Sequence, residues 1–230
     1  HAKDIFVSLI VGLGNPVVRP NAEGKFVATL AESAGSGTSP AESALRFYTE
    51  FADPVKRTYS WNRSQAGSQT AFLAGTLGVY FGKASEVFAL RSANPNLNFD
   101  IASYPSVRGG VVAIPADLHA FSVPRGSRNT SGALKVALLL SGAEAQKILV
   151  SVTSLPSVRR DVLSVSPENP YESIFRNASL NAFSFRDPDP EETDAIFERM
   201  IEGVSSGKLR IPEAVRSGQK ELNALLGVVQ

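Results

Sequence analysis

Apolar residues return every three or four positions in Ile5, Phe6, Leu9, Ile10 and Leu13, which predicts a helix with one buried face. Gly14-Asn15-Pro16 marks its end with a glycine stop followed by a proline. Ser39-Pro40-Ala41-Glu42 combines a capping serine, a proline at the first helical position and a glutamate that can reach back. It predicts a helix to about Phe51 that buries Ala44, Leu45, Tyr48 and Phe51. The same signals predict helices over residues 130–140, from Ser141-Gly142-Ala143-Glu144 to about Val152, after Ser166-Pro167-Glu168, after Asp189-Pro190-Glu191-Glu192, and from Pro212 onward. A further short helix is expected before Gly75. Between these the pattern shortens. Residues 76–81, 97–103, 111–114 and 118–123 predict strands, and 83–91 a helix with Ala84, Val87 and Phe88 on one face. The reading is an α/β chain, rich in helices, whose strands sit mostly in the middle third.

Composition narrows what such a chain does. Its 230 residues carry 23 Lys+Arg against 22 Asp+Glu, a net charge of +1, with only 20% charged residues. No basic field is available to track phosphates, so general nucleic-acid binding is not expected. The 43% hydrophobic content is that of a folded protein. Zero cysteines exclude disulfide frameworks, thiolate metal sites and cysteine nucleophiles. The longest apolar runs fall short of the ~20 residues a membrane helix needs. The opening His1-Ala2-Lys3-Asp4 shows no initiator Met and no targeting segment, as expected of a start inside a longer chain.

Few motifs survive comparison with ordinary structural roles. Val11-Gly12-Leu13-Gly14-Asn15-Pro16 resembles the opening of bacterial peptidyl-tRNA hydrolases, but that chemistry needs a histidine a short way downstream and residues 17–118 hold none. A helix C-cap accounts for the string. The run Asp187-Pro188-Asp189-Pro190-Glu191-Glu192 lacks the alternating ligands and turn glycine of a calcium loop and reads as a helix entry. His119, on an expected strand, cannot build a metal site alone. The aromatics Trp61, Tyr80, Phe81 and Tyr104 lie near turns. With Ser85, Glu86 or Asn62 as hydroxyl partners they suit the apolar face and polar rim of a sugar. No catalytic residue, metal site or cofactor is predicted.

An ordered series of phrases carries a resemblance. It runs from Phe72-Leu73-Ala74-Gly75 through Gly82-Lys83-Ala84-Ser85-Glu86, then Asn94-Pro95-Asn96-Leu97-Asn98-Phe99 through Tyr104-Pro105. Phe121-Ser122-Val123-Pro124, Ser141-Gly142-Ala143-Glu144-Ala145-Gln146 and Leu155-Pro156-Ser157-Val158-Arg159-Arg160-Asp161 continue it. In this order they resemble the sugar-type extracellular solute-binding proteins of bacterial ABC importers, which include maltodextrin-binding proteins. Two departures stand out: Gly78-Val79 replaces the usual Ala-Met, and Ser85 falls where some maltodextrin binders carry a stacking tryptophan.

The resemblance implies a type II periplasmic-binding-protein-like fold with two lobes closing on a ligand, here incomplete. Residues 1–109 and 157–230 would belong to the C-terminal lobe and 110–156 to a returning segment of the N-terminal lobe. It also implies capture of a sugar or oligosaccharide by Phe81, Ser85, Glu86, His119 and Trp61, with delivery to the transmembrane subunits of an ABC permease. The expected location is extracellular or periplasmic, with a lipoprotein-type anchor ahead of the chain. With part of the cleft missing, weak or no solute binding is expected of these residues alone. Two other classes remain open: an adhesion or scaffold module on the same fold, and a hydrolase pairing Glu86 with Asp117.

Overall fold

The computed structural model describes residues 1–33, 37–106, 108–153, 155–163 and 170–228. They fall into two compact units. Unit 1 comprises residues 1–81, 105–115 and 183–230, and unit 2 residues 82–104 and 116–182. The chain passes from one to the other after Phe81, Tyr104, Pro115 and Ala182.

Unit 1 is built on α1 (Ala2–Gly12), a hairpin of β1 (Val18–Pro20) and β2 (Phe26–Ala28), α2 (Pro40–Glu50) and α3 (Ser68–Leu73). Two long helices, α9 (Pro190–Ser205) and α10 (Ile211–Leu225), complete it. Local sequence sets most of these bounds. The Ser39 side chain accepts the Glu42 N–H at 3.1 Å, and Asp189 accepts that of Glu192 at 3.1 Å, each with proline at the next position. The acidic run at Asp187 is therefore a helix entry, as its prolines indicate. Phe6, Ile10, Leu45, Phe197 and Leu222 are fully buried where α1, α2, α9 and α10 meet. Gly218 lets α10 close on α9, since a Cβ there would lie 2.1 Å from the Met200 sulfur.

The hairpin lies in a stretch that carried no predicted element. It pairs Val18 with Ala28 and Pro20 with Phe26, antiparallel. Its turn is made by Asn21, whose Oδ1 accepts the N–H groups of Glu23 and Lys25 at 3.1 and 2.9 Å. The N–H of Ala28 donates to Asn223 Oδ1 and that of Ala31 to Gln219 Oε1, both at 2.7 Å. Side chains of α10 thus take backbone donors that a third strand would otherwise take.

Just ahead of the hairpin, α1 ends at Gly12, and Gly14 turns the chain at φ +92°. Val11–Pro16 is a cap, and Asn15 explains its form. Buried at 5% exposure, Asn15 donates to the Thr29 carbonyl (2.6 Å) and accepts from the Val17 N–H (2.8 Å) and the Thr29 hydroxyl (2.9 Å). Val17 is held at φ +67°, a costly conformation for a β-branched residue.

Unit 2 holds α4 (Val87–Ala93), α5 (Thr130–Leu140), α6 (Ala143–Thr153), α7 (Arg160–Leu163) and α8 (Pro170–Leu180). Its buried apolar side chains are Val87, Leu90, Val162 and Phe175, at 4–8% exposure. A 30 Å³ cavity beside Phe175, Val162 and Leu155 has room for little more than one water.

Several expectations fail here. Residues 76–81, 97–103 and 118–123 form no strand, and within 111–114 only Ile114 joins one, β3 (Ile114–Pro115), which pairs with β4 (Ala182–Phe183). A strand needs a partner for its backbone, and among the described residues none aligns with these segments. Leu118 and Phe121 stay 70% and 58% exposed. His119 accordingly lies on irregular backbone. The helix expected over 83–91 begins as a 3-10 turn at Ala84–Glu86 and buries Val87 and Leu90, leaving Phe88 at 49% exposure. Tyr48 and Phe51 are only half-buried. The helix start expected at Ser166-Pro167-Glu168 lies outside the described residues.

Candidate functional site

The residues expected to meet a ligand divide between the units. Trp61 and Phe81 belong to unit 1, both half-buried; Ser85, Glu86 and His119 belong to unit 2. In unit 1, Trp61 and Ser60 donate their N–H groups to the Phe51 carbonyl at 3.3 and 3.0 Å, which ties the aromatic segment to the end of α2. Asn62 closes a tight turn, accepting from Ser64 N–H and hydroxyl at 3.0 and 2.6 Å. Next to Phe81, Tyr80 stacks on Phe72 with ring centroids 5.4 Å apart and meets the His1 ring edge-on at 5.9 Å. Within residues 76–81, Tyr80 is thus held by ring contacts and Thr76 by the bonds of its N–H and hydroxyl to the Ala71 carbonyl, both at 3.0 Å, rather than by strand pairing.

In unit 2 the Lys83 ammonium pairs with the Asp117 carboxylate. That contact brings the 3-10 turn bearing half-buried Glu86 and exposed Ser85 to the segment bearing exposed His119. Asp117 is therefore engaged by a cation. Among the described residues no cluster of three or more His, Asp or Glu could hold a metal ion.

Unit 2 also holds a recess that no sequence pattern signals. At the C-terminal end of α4 an open depression of about 450 Å³ is lined by Arg91, Asn94, Asn96, Asn98, Phe99 and Tyr171, among others. The Arg91 guanidinium lies over the Tyr171 ring at 4.5 Å and near the Phe99 ring at 5.6 Å, and donates to the Tyr171 hydroxyl. Amides and a guanidinium of this kind offer hydrogen bonds suited to hydroxyls. The Asn-Pro-Asn signal reads only as a turn, because Tyr171 reaches it from 80 residues away.

Comparison with known proteins decides the family. The profile of bacterial extracellular solute-binding proteins matches residues 18–173. The chain belongs to that family. As a solute-binding family member it also superposes on solved structures over almost its whole length. An ABC transporter solute-binding protein from Thermotoga lettingae, bound with α-D-tagatose, matches 99% of the chain at 17% identity and a TM-score of 0.64. The maltose-maltodextrin binding protein of Alicyclobacillus acidocaldarius matches 96% at 16% identity and a TM-score of 0.66. Likeness at that identity establishes the fold, which is periplasmic-binding-protein-like, helix-rich and partial. The chain spans 57% and 60% of the lengths of those two proteins. No curated protein sequence matches it.

Proposed function

We propose that the chain is part of the solute-capturing component of an ABC importer and that its solute is a carbohydrate handed to a membrane permease. The observation that carries this reading is the family match over residues 18–173, joined to a superposition on sugar-binding proteins that runs through nearly the whole chain. Residues 1–109 and 157–230 are assigned to the C-terminal lobe and 110–156 to a returning segment of the other. Phe81 and Trp61 supply apolar faces for the sugar ring, while Ser85, Glu86 and His119 supply its hydroxyl partners. Closure of the lobes on the sugar is the mechanism, since a ligand that contacts both shifts the population to the closed form. The complete protein acts outside the cytoplasm, tethered near its permease. The hydrolase reading loses support because Asp117 is engaged by Lys83, and no observation favours a scaffold role.

Calorimetry with tagatose, maltose and maltotriose tests the proposal. The 230 residues alone should bind weakly or not at all. A longer chain that also supplies the part of the relatives' length not spanned here should bind one of these sugars, and Phe81→Ala should weaken that binding by roughly tenfold or more, as losing an aromatic contact does. An extended chain that ignores every sugar would refute the reading.

A further inference from the structure

Arg91 is a cation held in place without a counter-charge. It is exposed on the last turn of α4, and among the described residues no carboxylate pairs with it. The acids beside its ring partners are engaged elsewhere: Glu172 pairs with Arg176 at 3.5 Å, and Asp100 accepts the Ile101 N–H at 2.8 Å. Two rings fix the guanidinium instead, Tyr171 at 4.5 Å and Phe99 at 5.6 Å, with a hydrogen bond to the Tyr171 hydroxyl. Stacking uses a face of the group and that bond uses one N–H. The remaining donors form the planar fork that matches a carboxylate.

The rest of the recess suits a different part of a ligand. Asn94 Oδ1 accepts the Asn96 N–H and the Asn94 carbonyl accepts the Leu97 N–H, both at 3.1 Å, so the turn that bears the amides is set by its own bonds. Asn96 and Asn98, both exposed, line the opening of about 450 Å³, a volume in the range of small-molecule sites. Their amides offer donors and acceptors to hydroxyls, and the Phe99 and Tyr171 rings offer apolar faces. A bare anion would leave the amides and rings idle. A neutral sugar would leave the cation unanswered.

We infer that this recess is an accessory site for a carboxylate-bearing sugar, of which a hexuronate is the simplest form. Arg91 takes the carboxylate, Asn96 and Asn98 take hydroxyls, and the rings cover a C–H face of the sugar. None of Trp61, Phe81, Ser85, Glu86 and His119 lines it, so the site is additional to the solute contacts proposed above and stands or falls without them.

Chemical-shift titration of the 230-residue chain with D-glucuronate at neutral pH and low ionic strength tests this. Saturable shifts should centre on the amides of Arg91, Asn96, Asn98, Phe99 and Tyr171, and affinity should fall several-fold when salt is raised about tenfold, since an exposed charge pair is screened. D-glucose, acetate and inorganic phosphate should each bind roughly tenfold more weakly or worse, because each forgoes one set of contacts. Arg91→Gln should cost glucuronate roughly tenfold in affinity. Because Arg91 also holds Tyr171, a second variant, Asn96→Ala/Asn98→Ala, should weaken glucuronate several-fold with circular dichroism and melting unchanged. A missing response to glucuronate, an equal response to glucose, acetate or phosphate, or undiminished affinity in either variant would overturn the inference. Failure of a longer chain to bind tagatose, maltose or maltotriose would remove the functional reading and leave this site standing.

Discussion

Unit 1 and unit 2 have similar local sequence signals and very different interiors. Every large side chain that is fully buried among the described residues, Phe6, Phe197, Ile10, Leu30, Leu45, Ile196 and Leu222 included, lies in unit 1. Unit 2 buries Val87, Leu90, Val162 and Phe175 incompletely and leaves Leu134, Val136, Leu138 and Leu139 of α5 and Ile148 and Val152 of α6 largely exposed. Helix caps are as good in one as in the other: Asn129 Oδ1 accepts the Gly132 N–H at 2.9 Å at the start of α5, much as Ser39 and Asp189 serve α2 and α9. Good capping starts a helix, but burial of its apolar face stabilises it.

The sharpest challenge to that contrast is a matched pair of truncations. Phe197→Ala should destabilise unit 1 by about 3–5 kcal/mol, because its closely packed surroundings relax little around the cavity. Phe175→Ala, beside an existing cavity, should cost unit 2 less than about 2 kcal/mol, given a site already free to collapse. Urea unfolding followed by residue-resolved exchange separates the two, and equal costs would break the comparison.

Next comes Asn15→Ala, expected to cost unit 1 roughly 2–3 kcal/mol, since it takes the partner from the Val17 N–H and the Thr29 hydroxyl in the interior. Its signature in the same urea series is faster exchange across the hairpin.

A smaller effect is expected at Lys3, on the rim of unit 1. Burial lowers the affinity of its ammonium for a proton, but Asp194 at 2.6 Å and Asp187 at 3.4 Å outweigh that and leave it raised above the ordinary lysine value. A raised pKa contributes stability that is fully present below the unfolded value of roughly 10.4 and lost as pH climbs through the folded one. Asp194 is largely exposed, so solvent screening holds the cost of Lys3→Met to about 0–1 kcal/mol. Melts at about pH 8 should show that difference, and melts at about pH 11 should show it shrinking.

The least effect is expected on the open face of unit 2. Leu139→Lys should change the stability of the 230-residue chain by no more than about 0.5 kcal/mol, because the side chain is already 73% exposed. A large loss in thermal unfolding would mean that α5 has a partner within these residues.

The helices were legible because their signals are local. Ser39-Pro40, Asp189-Pro190 and the spacing of Ile5, Phe6, Leu9 and Ile10 act within one or two turns. The hairpin at Val18–Ala28 escaped because its stability comes from Asn223 and Gln219, about 190 positions away. Strand patterns at 76–81, 97–103 and 118–123 misled for the reverse reason, since alternation cannot supply the partner that a strand requires. Of the expected ligand contacts, the sequence could nominate Trp61, Phe81, Ser85, Glu86 and His119 through ordered resemblance alone. The Lys83–Asp117 pair that joins the segment of Glu86 to that of His119, and the recess in which Tyr171 meets Arg91, depend on contacts 34 and 80 residues apart.

By itself, then, the sequence determined where helices start and stop, which chemistries are missing, and to which family the ordered phrases point, because each depends on neighbours along the chain or on order. Only the tertiary structure decided which apolar faces are satisfied. Burial is a property of what packs against a residue, and in α5 the residues ask for a core that the described residues do not provide.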